Sequence, residues 1–141
     1  MNPTVLMDKA ARAMASAKLL LDAGDVDGAC NRAYYAMFDA AKAALIGSGV
    51  SVEPTVAKTH SGLIAAFSLH WVKAGRFPVE LGKALNRVAE IRLVADYSGE
   101  EVTTDQAQWV TEQADLFVGT VRQKLEPPKL ELNTDSKPEP F

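Results

Sequence analysis

The chain has 141 residues, enough for one domain that buries roughly two-thirds of its unfolded surface without a disulfide or a metal. Apolar residues make up 48% and charged residues 23%, an ordinary globular composition. Fifteen Lys and Arg stand against eighteen Asp and Glu, which excludes a generic nucleic-acid-coating surface but leaves room for a local basic pocket.

The chain reads as helix throughout. Alanine is abundant, and no stretch alternates apolar and polar residues as a half-buried strand does. Met1-Asn2-Pro3-Thr4 has no basic residue ahead of an apolar core, unlike a secretory signal. No apolar run approaches the roughly 18 residues that span a bilayer. A cytoplasmic protein without membrane contact is therefore expected. An apolar series from Val5 to Leu21 predicts a first helix, closed by Gly24. Asp25 can cap a second helix that runs to about Gly47 and buries Ala33, Tyr34, Met37, Ala41 and Leu45. A loop holding Pro54 follows, from Ser48 to Lys58. A third helix is predicted from about Thr59 to Gly75. Pro78 suits the first turn of a fourth, with Glu80 favourable there, ending near Tyr97. Thr103 with Gln106 resembles a capping box and opens a fifth, which stops before Pro127-Pro128. Residues 127–141 carry four prolines and few apolar groups, so they predict an irregular, flexible tail. The expected organisation is an all-α bundle of four to five helices over residues 1–126, then a Pro-rich tail over 127–141.

Chemistry-bearing motifs are few. The lone cysteine, Cys30, excludes an intramolecular disulfide and a cysteine-based zinc knuckle, and lacks an obvious base partner. His60 and His70 lack the spacing of a zinc-binding helical pair, so no metal site is expected. No Walker loop, GxGxxG or GxSxG occurs, and no cofactor is implied. The fourth helix is more informative. At about 100° per residue, Leu81, Leu85, Val88 and Ala95 share a face, and Arg92 falls near its middle with Asp96 one turn on. An arginine on a core stripe must be paired or must line a cavity. Two readings stay open: a structural Arg92–Asp96 pair, or a polar pocket in which Arg92 grips phosphate. On the second helix, Arg32, Tyr35 and Asp39 project from one face beside Asn31, either as a solvated stripe or as companions of that pocket. His60 shares a face with Leu63, Ile64, Phe67 and Trp71, either as a packed core histidine or as part of the same site.

Three segments in order, NRAYYAMFDAAKAAL (Asn31 to Leu45), KTHSGLIAAF (Lys58 to Phe67) and IRLVADY (Ile91 to Tyr97), resemble the HEPN family, the higher eukaryotes and prokaryotes nucleotide-binding domain. The likeness is to its small stand-alone prokaryotic members ending in R-x-x-x-D-Y, and covers roughly residues 5–125. It implies an up-and-down helical bundle, usually a homodimer, with a polar cleft near the interface. It also implies a toxin–antitoxin-type pair with a minimal nucleotidyltransferase, in which the HEPN partner acts on or binds RNA or a nucleotide. In ribonuclease members the active motif is an arginine followed, four to six residues on, by a histidine. Here Asp96, Tyr97 and Ser98 occupy those places after Arg92. The resemblance implies Arg92, Asp96 and Tyr97 as the signature and catalytic cluster, with Asn31, Arg32, Tyr35 and His60 as ligand-binding positions around it, to which the stripe on the second helix adds Asp39. The rival reading is a non-catalytic protein- or nucleotide-binding module whose Arg/Asp cluster is structural. A homodimer is expected independently, because Phe38, Phe67, Trp71, Trp109 and Phe117 add up to more apolar surface than one thin bundle is expected to hide.

Overall fold

Alanine decides how the helices pack. In the computed structural model, which describes residues 2–50 and 59–126, helix α2 (Val26–Gly47) buries Ala29, Ala33, Ala36, Ala40, Ala41, Ala43 and Ala44 completely. Side chains this small let neighbouring helices approach closely. Helix α1 (Pro3–Asp22) answers with Ala10, Ala13 and Ala17, also buried. Around α2 are packed α1, α3 (His60–Phe67), α4 (Val79–Tyr97) and α5 (Thr104–Leu125). The result is an all-α bundle of five helices with no strand among the described residues. The predicted Pro54 loop, apart from its first residues, and the predicted tail over 127–141 lie outside the described residues.

The helix ends follow local chemistry. Asp25 caps α2 by accepting from the Gly28 N–H, and Thr59 caps α3 through the Gly62 N–H. Thr103 and Gln106 form a reciprocal capping box at α5. Gly24, at φ +88°, takes the left-handed conformation that turns the chain from α1 into α2. Pro78 stands one step outside α4, as its N-cap, rather than in the first turn.

The third helix differs from its sequence expectation. It is α-helical only to Phe67 and continues as a π-helix over Ser68–Val72, closed by the Lys73 N–H donating to the Ser68 carbonyl. The turn leaves Trp71 facing inward, where its Nε1–H donates to Ser48 Oγ at 3.0 Å. Ser48 in turn donates to the Ala44 carbonyl, so this pair ties the end of α3 to the end of α2.

An aromatic core closes that end of the bundle. Phe117 of α5 lies 5.3 Å from Phe67 and 4.9 Å from Phe77 between ring centroids, and Trp71 stacks on Phe67 at 5.7 Å. Three of the five rings expected to need a partner's cover, Phe67, Trp71 and Phe117, are thus buried within this one chain. Trp109 stays exposed and Phe38 is only partly buried, and other apolar groups are exposed too, among them Leu19, Leu69, Leu93, Tyr97 and Leu116. Phe117 is fully buried and touches two aromatic neighbours, so Phe117→Ala should lower stability by about 3–5 kcal/mol. Urea unfolding would show it as a reduced midpoint at nearly constant slope.

Candidate functional site

Helices α3 and α4 run past each other with a gap between them. They approach closely at one end, where a Cβ added to Gly82 would lie 2.8 Å from a Val72 methyl. At the other end His60 meets Arg92. Between these contacts opens a cleft of about 880 Å³, within the usual size of small-ligand sites. One wall is an α3 stripe, Ser61, Ile64, Ala65 and Ser68. The facing wall is an α4 stripe at helical spacing, Asn86, Glu90, Leu93 and Tyr97. Tyr34, Tyr35, His60 and Arg92 line the cleft where α2, α3 and α4 come together.

Arg92 is buried on the apolar stripe, as the helical pattern requires, and its side chain is 9% exposed. Its Nη1 donates to Asp96 Oδ2 at 3.2 Å, one turn along α4. Asn31 of α2 donates to the same carboxylate oxygen at 3.5 Å. Nη2 lies 3.4 Å from His60 Nδ1. The guanidinium rests against Tyr34, 4.8 Å from the ring centroid, and near Tyr35 at 5.7 Å, both within cation–π range. Nε is buried with no hydrogen-bond partner. A guanidinium has five N–H bonds. One goes to Asp96, one to His60 and one is buried on Nε, which leaves two on the terminal nitrogens for a ligand.

The same contacts set the state of His60. Tyr34 Oη lies 3.0 Å from His60 Nδ1, the nitrogen that also faces Arg92. Arginine can only donate, so Nδ1 must present its lone pair and the proton belongs on Nε2. Burial, and then the Arg92 charge, hold His60 below the usual histidine value, so the ring is kept neutral. Burial pushes the Tyr34 phenol up to about 12, opposed by Arg92 and reinforced by Tyr35, which keeps that hydroxyl a donor. Phe38 packs on the histidine ring at 4.6 Å.

A family model for the HEPN domain matches residues 4–124. The chain belongs to the HEPN family. A UPF0332 protein of Thermotoga maritima is 36% identical over 121 residues, 84% of this chain and 86% of that protein. Another, of Gloeobacter violaceus, is 37% identical over 94 residues, 67% of this chain and 71% of its own length. A protein of Methanocaldococcus jannaschii whose name is "Putative toxin MJ0605" is 29% identical over 120 residues, 85% and 86% of the two chains.

On this HEPN bundle the positions singled out from sequence separate into two groups. Arg92, Asp96, His60, Asn31 and Tyr35 come together, and Tyr97, 77% exposed, forms the rim of the cleft. Arg32 is exposed, with its guanidinium 5.9 Å from the outer side of the cluster, the Tyr35 ring. Asp39 is not among the cleft residues. It is half-buried, and burial raises its carboxyl while Lys9, Lys42 and Arg32 pull it down. Sequence reasoning gave no role to Ser68, Asn86, Glu90 or Leu93. The 4-3-4 spacing of Asn86, Glu90, Leu93 and Tyr97 was the available signal. Among the described residues no helix is long and apolar enough to cross a membrane.

The neutral histidine has a consequence for stability. The unfolded chain binds the His60 proton near the ordinary value of about 6.5, whereas the folded chain binds it only at lower pH. His60 therefore supports the fold fully above that unfolded value, and the support falls as pH drops toward the folded one. Urea unfolding at about pH 7.5 and about pH 5.5 should show a smaller loss of stability for His60→Asn than for the native chain. An identical loss in both proteins would mean that His60 titrates as freely folded as unfolded.

Proposed function

We propose that this protein is the HEPN member of a toxin–antitoxin-type pair, that it binds RNA or a nucleotide in the α3–α4 cleft, and that its partner is a minimal nucleotidyltransferase. The observation that carries the binding reading is Arg92: a buried cation at the cleft wall with two N–H bonds unspent. Guanidinium groups held in this way suit phosphate oxygens. The similarity to a relative named as a toxin supports the pairing.

Roles follow from the geometry. Arg92 holds phosphate, and Asp96, itself held by Asn31, fixes the guanidinium. His60 offers Nε2–H to a ligand oxygen. Tyr35 and Tyr97 supply aromatic faces for stacking, the usual means of gripping a single-stranded base. His60 in this state is a donor and not a base, because Nδ1 is taken by Tyr34 and Arg92. The arrangement therefore favours holding RNA over cutting it. Homodimerisation in the cytoplasm completes the reading: Leu93, Val94 and Tyr97 leave an exposed apolar strip on α4 beside the cleft mouth, which a second copy would cover.

Anisotropy titration with a short labelled single-stranded RNA, competed by nucleoside 5′-monophosphates, tests the binding. Arg92→Ala should weaken it by tenfold or more, and Arg92→Lys should restore only part, since a point charge cannot reproduce the fork. Affinity should fall with salt. A thermal melt run alongside separates a site from a strut. Loss of the melting temperature with Arg92→Ala, together with no binding by the native chain, would make the cluster purely structural.

A further inference from the structure

Outside the cleft, the face that α2 shares with α1 carries cations in excess of their acidic partners. Arg32, Asp39 and Lys42 lie on one face of α2, at spacings of seven and three residues. Lys9 stands on α1, the helix packed alongside. All three cations are near enough to act on the Asp39 carboxyl, which burial raises and Lys9, Lys42 and Arg32 lower. None of them closes on it. Among the described residues Lys9, Arg32 and Lys42 form no ion pair, whereas Lys18 pairs with Asp115 at 3.2 Å and Arg87 with Glu90 at 3.1 Å. One carboxylate balances one of three cations, so positive charge is left over here on a chain whose net charge is -3.

This stripe joins the cleft at Tyr35, which lies three residues after Arg32 and four before Asp39 on the same helix face. The exposed Arg32 guanidinium is 5.9 Å from the Tyr35 ring centroid, and the buried Arg92 guanidinium is 5.7 Å from it. One half-buried tyrosine is thus shared by two guanidiniums, one in the cleft wall and one outside it. Neighbouring phosphates of one strand can reach both. From Arg32 to Lys42 the face extends about 15 Å along the helix axis, a span of several nucleotides.

Cations interleaved with an aromatic face suit a single strand, whose backbone they neutralise and whose bases stack. A duplex, with its bases already stacked on one another, has none to offer Tyr35. We propose that a single RNA strand gripped in the cleft by Arg92 leaves it over Tyr35 and runs along α2 on Arg32, Lys42 and Lys9, so that the ligand is an oligonucleotide and not a lone nucleotide. This assignment rests on the reading that Arg92 holds phosphate.

Calorimetric titration of the full chain with UMP, a uridine dinucleotide, a tetramer and an octamer tests it. Affinity should climb by about tenfold or more from UMP to the tetramer, as further phosphates and stacked bases are engaged, and then level off. Lys9→Gln combined with Lys42→Gln, neither side chain being buried, should leave UMP binding and the melting temperature unchanged. The same pair should cost the octamer about tenfold and flatten the slope of log affinity against log salt by about 0.7 for each lysine lost. Arg92→Ala should weaken UMP and octamer alike. Equal affinity for UMP and the octamer, still dependent on Arg92, overturns the track and leaves the phosphate reading standing. A length dependence that survives loss of both lysines overturns the path along α2. Lysine-dependent capture of a polyglutamate peptide, with no gain from RNA length, makes the stripe a docking surface for an acidic protein and also overturns the track. No binding of UMP or of any oligonucleotide overturns both readings.

Discussion

A single buried cation organises the middle of this molecule. Arg92 occupies a position on α4 where the helical pattern calls for an apolar residue, and its charge has to be met there. Asp96 answers from the same helix, Tyr34 and Tyr35 from α2, and His60 from α3. Three helices therefore converge on one guanidinium. Breaking a buried pair leaves an uncompensated charge at a cost of about 3–5 kcal/mol. Asp96 is 26% exposed, so water shares part of its burden and the lower end of that range applies. The network is incomplete by two donors on the terminal nitrogens. These are the donors that the proposed phosphate reading calls on.

The alanines of α1 and α2 bring the helices of the bundle close. A helix lined with large side chains would hold its neighbours farther away. Ala33, Ala36 and Ala40 bury without adding bulk. At the opposite end the demand is reversed. Phe67, Trp71, Phe77 and Phe117 fill the space where α3 and α5 meet. The π-helical turn lies between these regimes. It sets Trp71 into the aromatic core and leaves Ser68 on the cleft. Packing and site are thus joined through one irregular turn.

Much of this was legible in the sequence. Gly24, Asp25, Thr59 and the Thr103–Gln106 pair mark helix ends by local chemistry, which acts over three or four residues. The burial of Arg92 and its pairing with Asp96 were also readable, because both lie on one helix. Contacts between helices were not. Nothing in Lys58 to Phe67 says which ring nitrogen of His60 meets which partner, and Asp39 carries the same helical phase as Arg32 and Tyr35 while α1 and its lysine claim it. The π turn was invisible for a related reason. It accompanies tertiary contacts of Trp71 with Ser48 and the aromatic core, which leave no composition signal in SLHWV. Of the aromatic rings that suggested a partner, Phe67, Trp71 and Phe117 are enclosed by the chain itself while Trp109 stays exposed, since counting rings does not reveal how well five helices enclose each of them.

In the ribonuclease members of the family a histidine follows the arginine by four to six residues. In this chain that turn belongs to Asp96, and the histidine beside Arg92 arrives from α3 instead. The exchange alters the chemistry as well as the origin. A carboxylate one turn from Arg92 fixes the guanidinium and spends one of its donors. A histidine approaching through Nδ1, shared with a phenol that burial keeps protonated, has its lone pair occupied on that side and its proton on the other. To act as a base toward a 2′-hydroxyl, His60 would have to move its proton to Nδ1 and set an N–H against the arginine. Arg92, which can only donate, opposes that tautomer. On the proposed reading, this exchange of partners around one arginine favours holding an anion over moving a proton.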